Sequence, residues 1–466
     1  MSWPEERKLV ELERKLSSID LEFRHWMDET SAEGPLPKHN SQVRRITRQL
    51  GAFTESLGTW LQELKQDRDR LLRESRSVES MILDVHRIWE FFRSKLAQRY
   101  VEWFRDFLVA ADEYAWASYD AARAAVDPMV VPAERIKEPP LVFLNGGWSP
   151  FAMSRGVRYE AEWVPDEDIT AQQFRQILQD LPLPVIGMPW YQIRHVPDAV
   201  AIGHEVGHSV EDDFGLTPHL GALLEAAMED HSTPGERKKA WQAWRGELFA
   251  DMYGILAAGP AFVSGLMDFL ALSPKDIMSA RQAAPGWLEH PPDALRVIFN
   301  LRALDLIGFP DQAAALRTAW TVRYPHHAMD DFDQDIEAVV RAFLKGPYPA
   351  FGGSALTDVI SFGGAEWEQA KSVKRALRQG LAPAASIRPI VAGTRLAFEE
   401  NPTAFVEKEA DQIVLTTIRK AQTTAFRGEP EAKILDDLDA DAGRVLFQHM
   451  KALRTTSSSR QSPSAL

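Results

Sequence analysis

The stretch Gly203-His204-Glu205-Val206-Gly207-His208 carries two histidines four residues apart, with a glutamate directly after the first. On an α-helix, residues i and i+4 lie on the same face, so the imidazoles of His204 and His208 can both reach one metal ion. Glu205 would then lie beside the open position of that ion, where its carboxylate can accept a proton from water. The pattern predicts a metal-dependent hydrolytic site on a helix, with Asp198 as the expected N-cap residue.

A second stretch, Trp244-Arg-Gly-Glu247-Leu-Phe-Ala-Asp251, supplies a candidate for the ligand that two histidines lack. Catalytic zinc sites keep three protein ligands and one position for water, and Glu247 is the predicted third ligand. Asp251 follows one helical turn later and is predicted to accept a hydrogen bond from a ligating histidine, which fixes the tautomer of that histidine. The alternative for Glu247 is a carboxylate on an exposed helix surface, but the apolar residues 248–250 favour a buried helix.

This layout, an HExxH helix followed by a Glu-x-x-x-Asp helix, resembles that of the gluzincin zinc metallopeptidases. The later segment Glu289-His-Pro-Pro-Asp-Ala-Leu-Arg296 is similar to a segment of the prenyl-protein-processing zinc proteases and their bacterial heat-shock relatives. In those proteins a His-Pro pair is followed by an arginine six residues after the histidine. The resemblance extends over roughly residues 183–304, and the relatives are membrane proteins.

The resemblance implies one Zn²⁺ ion and assigns roles to seven residues. The implied metal ligands are His204, His208 and Glu247, the implied catalytic residues are Glu205 and His290, and the implied supporting residues are Asp251 and Arg296. By this resemblance His290 lies near the zinc and stabilises an oxyanion, while Arg296 helps to orient the site. From the residues alone, His290 reads equally well as a histidine before a Pro-Pro turn at the start of a helix.

Helical periodicity dominates the chain and predicts a mainly α fold. Large apolar residues recur every three or four positions from Leu9 to Trp26, from Val43 to Leu64, and from Val78 onward to about Ala125. We expect residues 1–130 to form a coiled-coil-like helical bundle, with an intermolecular coiled coil as the alternative. Arg44, Arg45 and Arg48 are expected on the solvated face of this bundle.

The remaining chain divides, by pattern, into three parts. Residues 131–345 are predicted to form a zincin-like catalytic domain with a small β-sheet, whose strands lie near 141–144 and 183–188. The second of these strands is a candidate for pairing with an extended peptide substrate. Residues 346–454 are predicted to form a C-terminal helical region, and residues 455–466 a disordered tail.

Composition restricts the partners and the location. Lys plus Arg total 53 against 67 Asp plus Glu, a net charge of −14, which argues against nucleic acid or an anionic membrane surface as the main partner. The absence of cysteine excludes thiol nucleophiles and cysteine-containing structural zinc sites. No apolar run approaches the length of a membrane span, and no signal peptide is evident, so a cytoplasmic location is expected.

These observations together predict a zinc metallopeptidase acting on a peptide or protein. The alternatives are an interaction scaffold with a degenerate zincin domain, a structural zinc protein, and a zinc hydrolase of non-peptide amides. Glu205 argues against the scaffold, because a domain that only binds needs no general base. The N-terminal helices are candidates for a protein partner or self-association, and Tyr191 and Tyr253 are candidate hydrogen-bond donors to a transition state.

Overall fold

The computed structural model describes residues 4–31, 34–132, 137–147, 150–153, 181–280, 286–421 and 429–458. Its secondary structure confirms the predicted mainly α composition with a small sheet. The helices are α1 (Pro4–Ser31), α2 (Asn40–Leu64), α3 (Arg68–Ala97), α4 (Glu102–Ala125), α5 (Ile202–Asp213), α6 (Thr217–Asp230), α7 (Gly235–Ala258), α8 (Pro260–Leu270), α9 (Pro274–Ser279), α10 (Asp293–Leu306), α11 (Pro310–Arg323), α12 (Ile336–Lys345), α13 (Leu356–Val359), α14 (Gly364–Arg378), α15 (Ile387–Glu400), α16 (Pro402–Glu407), α17 (Ala410–Lys420) and α18 (Glu429–Ser458). The strands are β1 (Leu141–Asn145), β2 (Phe151–Met153), β3 (Val185–Pro189), β4 (Pro347–Tyr348) and β5 (Ser354–Ala355).

Across the described ranges, none of these helices combines the length and apolarity that a membrane span requires.

The chain forms two compact units, and both are discontinuous in sequence. The first comprises Met1–Val101, Met153–Pro184 and Thr423–Leu466, and the second comprises Glu102–Ala152 and Val185–Gln422. Their ends differ from the predicted boundaries at residues 130 and 345. The predicted tail also begins inside a helix, because α18 continues to Ser458, and residues 459–466 lie outside the described part of the chain.

In the first unit, α18 packs along α2 beside α1 and α3. Arg45 of α2 pairs with Asp439 of α18, and further along both helices the ring of Trp60 lies near that of Phe447, so α2 and α18 run parallel. A Cβ at Gly443 of α18 would lie 2.0 Å from the carbonyl oxygen of Gln49, so the two helices approach backbone to backbone. The unit is therefore a helical bundle closed by the C-terminal helix.

Two expectations for the N-terminal region are wrong. The third apolar stripe does not continue in one helix to Ala125, because α3 ends at Ala97 and α4 starts at Glu102 and buries its apolar residues in the second unit. Arg45 is not on a solvated face: it is 4% exposed and makes two hydrogen bonds of 2.7 and 2.8 Å to Asp439. The apolar stripe of α2 is wider than its sequence suggests, since α18 covers a second side of the helix.

The second unit holds a three-stranded sheet in the order β1-β3-β2. Strands near 141–144 and 183–188 are confirmed, and β1 pairs with β3 in parallel with Val142 opposite Ile186. All residues of β3 are buried. The expectation that this strand binds an extended peptide is wrong, because β3 is the central strand and has a neighbour on each side.

Helix α5, which carries the two histidines, packs against α4 and α7. A 3₁₀ segment, Val196–Ala201, leads into α5, and Ala201 is its N-cap residue. The predicted capping role of Asp198 is therefore wrong. Its carboxylate instead accepts a hydrogen bond of 3.2 Å from Gln192 and lies 3.3 Å from His195.

Candidate metal centre

The glycines of the motif bring α5 close to α7. A Cβ at Gly207 would lie 2.8 Å from the Cα of Ala250 and 2.9 Å from the Cβ of Tyr253, and a Cβ at Gly203 would lie 3.0 Å from the Cβ of Ala257. Only glycine leaves room for this approach. Because the glycines occupy the side of α5 that touches α7, the neighbouring histidines lie beside the carboxylates of α7.

His204, His208 and Glu247 meet at one point. The Nε2 atoms of the two histidines are 3.2 Å apart. Oε2 of Glu247 lies 3.5 Å from Nε2 of His204, and Oε1 of Glu247 lies 3.4 Å from Nε2 of His208. One ligand atom from each residue can be chosen so that all three lie within 4.8 Å of one another. The structure therefore brings together the three predicted ligands from two helices.

This spacing fits a zinc ion. Zinc binds histidine nitrogen at about 2.0–2.1 Å and carboxylate oxygen at about 2.0–2.2 Å, so ligand atoms at the corners of a tetrahedron lie roughly 3.3–3.5 Å apart. The two histidine nitrogens, 3.2 Å apart, are close to this value, and each lies 3.4 or 3.5 Å from a different carboxylate oxygen of Glu247. Two imidazoles and one carboxylate, with no thiolate, also form the donor set of a catalytic rather than a structural zinc site.

Asp251 contacts Nδ1 of His204, whereas His208 and Glu247 lie near the other ring nitrogen, Nε2. Its Oδ1 lies 2.8 Å from Nδ1 of His204, and its two oxygens accept hydrogen bonds of 2.7 and 2.8 Å from the guanidinium of Arg296. Asp251 is fully buried, and Arg296 is 7% exposed. Since Nδ1 donates to Asp251, the lone pair that His204 can offer to a metal is on Nε2.

Charge interactions within the group shift several pKa values. Burial opposes the charged form of Glu247, but hydrogen bonds from His204, His208 and His290 outweigh it and hold its pKa far below the ordinary value. Burial likewise opposes ionisation of Asp251, and the charge and hydrogen bonds of Arg296 lower its pKa to about 2. Both carboxylates are therefore ionised at neutral pH, as a cation site requires.

His290 and Arg296 lie close to Glu247. Nδ1 of His290 is 3.0 Å from Oε2 of Glu247, and its side chain is 61% exposed, so it borders the site from the solvent side. Nη2 of Arg296 lies 3.3 Å from the same oxygen. Glu205 is 6% exposed on α5 between the two histidines.

Tyr253 does not face the site. Its side chain is fully buried, and its hydroxyl donates a 2.7 Å hydrogen bond to the carbonyl of Ser118. Burial raises the pKa of this hydroxyl. The suggested role of Tyr253 as a donor to a transition state is therefore wrong, whereas Tyr191 lies on the surface directly after β3.

Two residues of the site were missed in the sequence. The ring of Phe262 stacks on that of His204, with centroids 6.3 Å apart and planes 10° from parallel, and a Cβ at Gly254 would collide with it. Asn300 donates a 2.8 Å hydrogen bond to Oδ2 of Asp251. Its position, four residues after Arg296 on a helix, was the available signal, because such residues share one face.

Comparison of the chain with known protein families, with curated proteins and with solved structures gave no match. The chemistry of the site is therefore inferred from its own residues.

Proposed function

We propose that this chain is a zinc-dependent metallopeptidase whose second unit contains a zincin-like catalytic domain of the gluzincin type. The observation that supports the proposal best is the convergence of His204, His208 and Glu247, which can offer one ligand atom each within 4.8 Å of one another. Glu205 on the same helix adds the general base that a purely structural metal site does not need.

The three ligands would hold one Zn²⁺ ion. A zinc ion in such a site lowers the pKa of bound water towards neutrality and polarises the carbonyl of the scissile amide. The carboxylate of Glu247 offsets part of the charge of the cation. Among the described residues the group has three ligands, which leaves a position for water or substrate.

Glu205 would transfer the proton. Its carboxylate accepts a proton from the attacking water and passes it to the leaving amine nitrogen, so that one C–N bond is broken and one C–O bond is formed. The side chain is 6% exposed, and this shielding from solvent strengthens its interaction with a reacting group.

His290 and Arg296 would support the reaction from the other side of Glu247. His290 is solvent-accessible and lies beside Glu247, where its imidazole can donate a hydrogen bond to an oxyanion. Arg296 is buried and bonded to Asp251, so its role is to fix the supporting carboxylates.

The test is hydrolysis of an unbiased peptide mixture, with products identified by mass spectrometry. We expect the zinc-loaded protein to cleave peptides and its Glu205→Gln variant to lose that activity by at least about a hundredfold, since general-base catalysis contributes about 10²–10⁴-fold. Glu225→Gln, which changes an exposed glutamate of α6, is the matched control and should keep full activity.

Cleavage that persists in Glu205→Gln would contradict the proposed mechanism. Zinc-loaded, folded protein that cleaves no peptide would contradict a general peptidase, and small acylated amines assayed beside the peptides would then identify a hydrolase of non-peptide amides.

A further inference from the structure

We propose that Asn300 is a positioning residue for the metal ligand His204 and acts on it through Asp251. The inference rests on the zinc site proposed above and adds a residue that no part of the sequence pattern assigns. Asn300 lies on α10 and is fully buried.

The side-chain amide of Asn300 has a defined orientation. Its Nδ2 donates one hydrogen bond of 2.8 Å to Oδ2 of Asp251 and another of 2.9 Å to the carbonyl of Arg296. Both partners are acceptors, so the nitrogen rather than the oxygen of the amide must face them. Asn300 is therefore a donor towards Asp251 in the only orientation that satisfies both contacts.

With Asn300 in place, the carboxylate of Asp251 is bonded on both oxygens. Oδ1 contacts His204 and Arg296, and Oδ2 contacts Arg296 and Asn300, at distances of 2.7 to 2.8 Å. Each oxygen of the carboxylate thus has two contacts, and these contacts restrict rotation of the carboxylate. A carboxylate held at four points presents Oδ1 to Nδ1 of His204 in one direction, which in turn directs Nε2 of His204 towards the proposed ion.

Replacing Asn300 would remove one of the two donors to Oδ2 of Asp251, the carboxylate that contacts His204. Arg296 also lies 3.3 Å from Glu247, so its guanidinium is shared between Asp251 and a proposed metal ligand. With one donor fewer on Oδ2, Asp251 would rely on Arg296 alone at that oxygen, and a buried acceptor that loses a partner is destabilised. The expected consequence is a less well oriented His204 and weaker binding of zinc.

The experiment measures the dissociation constant of Zn²⁺ by competition with a chromophoric chelator at pH 7.5. It compares the wild type with Asn300→Ala, Asn300→Leu and Asn300→Asp. Val297→Ala is the matched control, because Val297 is fully buried on the same helix and has no polar side chain. The unfolding of each variant in urea is measured in parallel.

The relative zinc affinities of the variants distinguish a positioning role of Asn300 from a role in packing. If Asn300 acts as a donor, all three substitutions weaken zinc binding by about tenfold or more, in the range known for residues that support metal ligands. Asn300→Asp should bind zinc at least as weakly as Asn300→Ala, because it keeps the shape of the side chain but places an acceptor against the Asp251 carboxylate. If Asn300 only fills space, Asn300→Asp and Asn300→Leu, which keep the volume, should bind zinc like the wild type.

Zinc binding by Asn300→Asp or Asn300→Leu that equals the wild type would overturn the inference and leave the zinc site standing. A tenfold loss in Val297→Ala would also overturn it, because any loosening of α10 would then suffice. A wild-type protein that binds no zinc would overturn the proposed function itself. If Asn300→Asp does not fold, the comparison of Asn300→Leu with Asn300→Ala decides, since both lack the donor and differ in volume.

Discussion

Among single residues, His204 is held by neighbours on more than one side of its ring. Asp251 lies 2.8 Å from its Nδ1, Phe262 stacks on its ring, and the adjacent Gly203 fits against α7. Of these neighbours the sequence pattern predicted only Asp251, because a residue one helical turn from Glu247 is a local feature. Phe262 and Asn300 reach the site through packing of α8 and α10 on α7, which no local spacing reveals.

The lowered pKa of Asp251 predicts an acid limit for the stability of the metal-free protein. Its folded-state pKa of about 2 lies below the ordinary value of 3.8, so the stabilisation is fully present above pH 3.8 and is lost as the pH falls towards 2. We expect a contribution on the order of 2 kcal/mol, from 1.4 kcal/mol per pKa unit. Urea unfolding between pH 5 and about 2 should therefore show a weaker pH dependence in Asp251→Asn. Equal pH dependence of unfolding in the wild type and in Asp251→Asn would contradict the lowered pKa of Asp251.

At the scale of the element, the contact between α5 and α7 determines the geometry of the site, because the histidines and Glu247 lie on different helices. We predict that Gly207→Ala destabilises the protein by about 1–3 kcal/mol, since the added methyl group overlaps Ala250 and Tyr253. The same change should weaken zinc binding by separating the ligands. Gly221→Ala on α6, where the nearest atom is 3.5 Å away, is the matched control and should not lower the stability, because alanine favours a helix over glycine. Equal zinc affinity in all three proteins would show that the approach of the helices does not set the ligand spacing.

Contact between α2 and α18 likewise depends on one glycine. The methyl group of Gly443→Ala would lie 2.0 Å from the carbonyl of Gln49, so we predict a loss of at least about 1–3 kcal/mol in urea unfolding. Gly51→Ala on α2 is the control, because no atom lies within 4 Å of the new methyl group and alanine favours the helix by about 1 kcal/mol. A Gly443→Ala variant as stable as Gly51→Ala would contradict the close approach of these helices.

The helices and strands were largely predictable from the sequence, whereas the elements against which each of them packs were not. Three long N-terminal helices and two strands follow from apolar periodicity, which reports the local face that each element buries. The predictions for the end of the third helix and for the cap of α5 were wrong. The observed end at Ala97 and the observed cap both depend on which core each segment joins. The central position of β3 also escaped prediction, since strand order is a property of the assembled sheet.

At the scale of the whole molecule, the first unit joins segments that lie far apart in the sequence. Its buried pair Arg45–Asp439 links residues 394 positions apart, and Arg454 donates to the buried Asp84 in the same bundle. Sequence periodicity could not identify Arg45 as buried, because the helix that covers it begins at Glu429.

We predict that Arg45→Met destabilises the protein by about 3–5 kcal/mol, because it leaves Asp439 buried without a partner. Arg45→Met combined with Asp439→Leu should recover most of this loss, since a buried ion pair can be replaced by apolar residues. The matched control is Arg44→Met, whose partner Asp436 is accessible to solvent, and it should cost less than about 1 kcal/mol. Urea unfolding of the four proteins checks this. A loss in Arg45→Met no larger than in Arg44→Met would contradict the burial of the pair.

The most direct test of the proposed zinc site is the metal content and coordination of the chelator-stripped protein after addition of zinc. Elemental analysis and zinc X-ray absorption should give one zinc per chain, two imidazole nitrogens at about 2.0–2.1 Å and no sulfur ligand. Glu247→Ala should lower the affinity for zinc strongly, and His204→Ala should abolish binding. A folded wild-type protein that retains no zinc, or a His204→Ala variant that binds zinc as well as the wild type, would rule out the proposed zinc site.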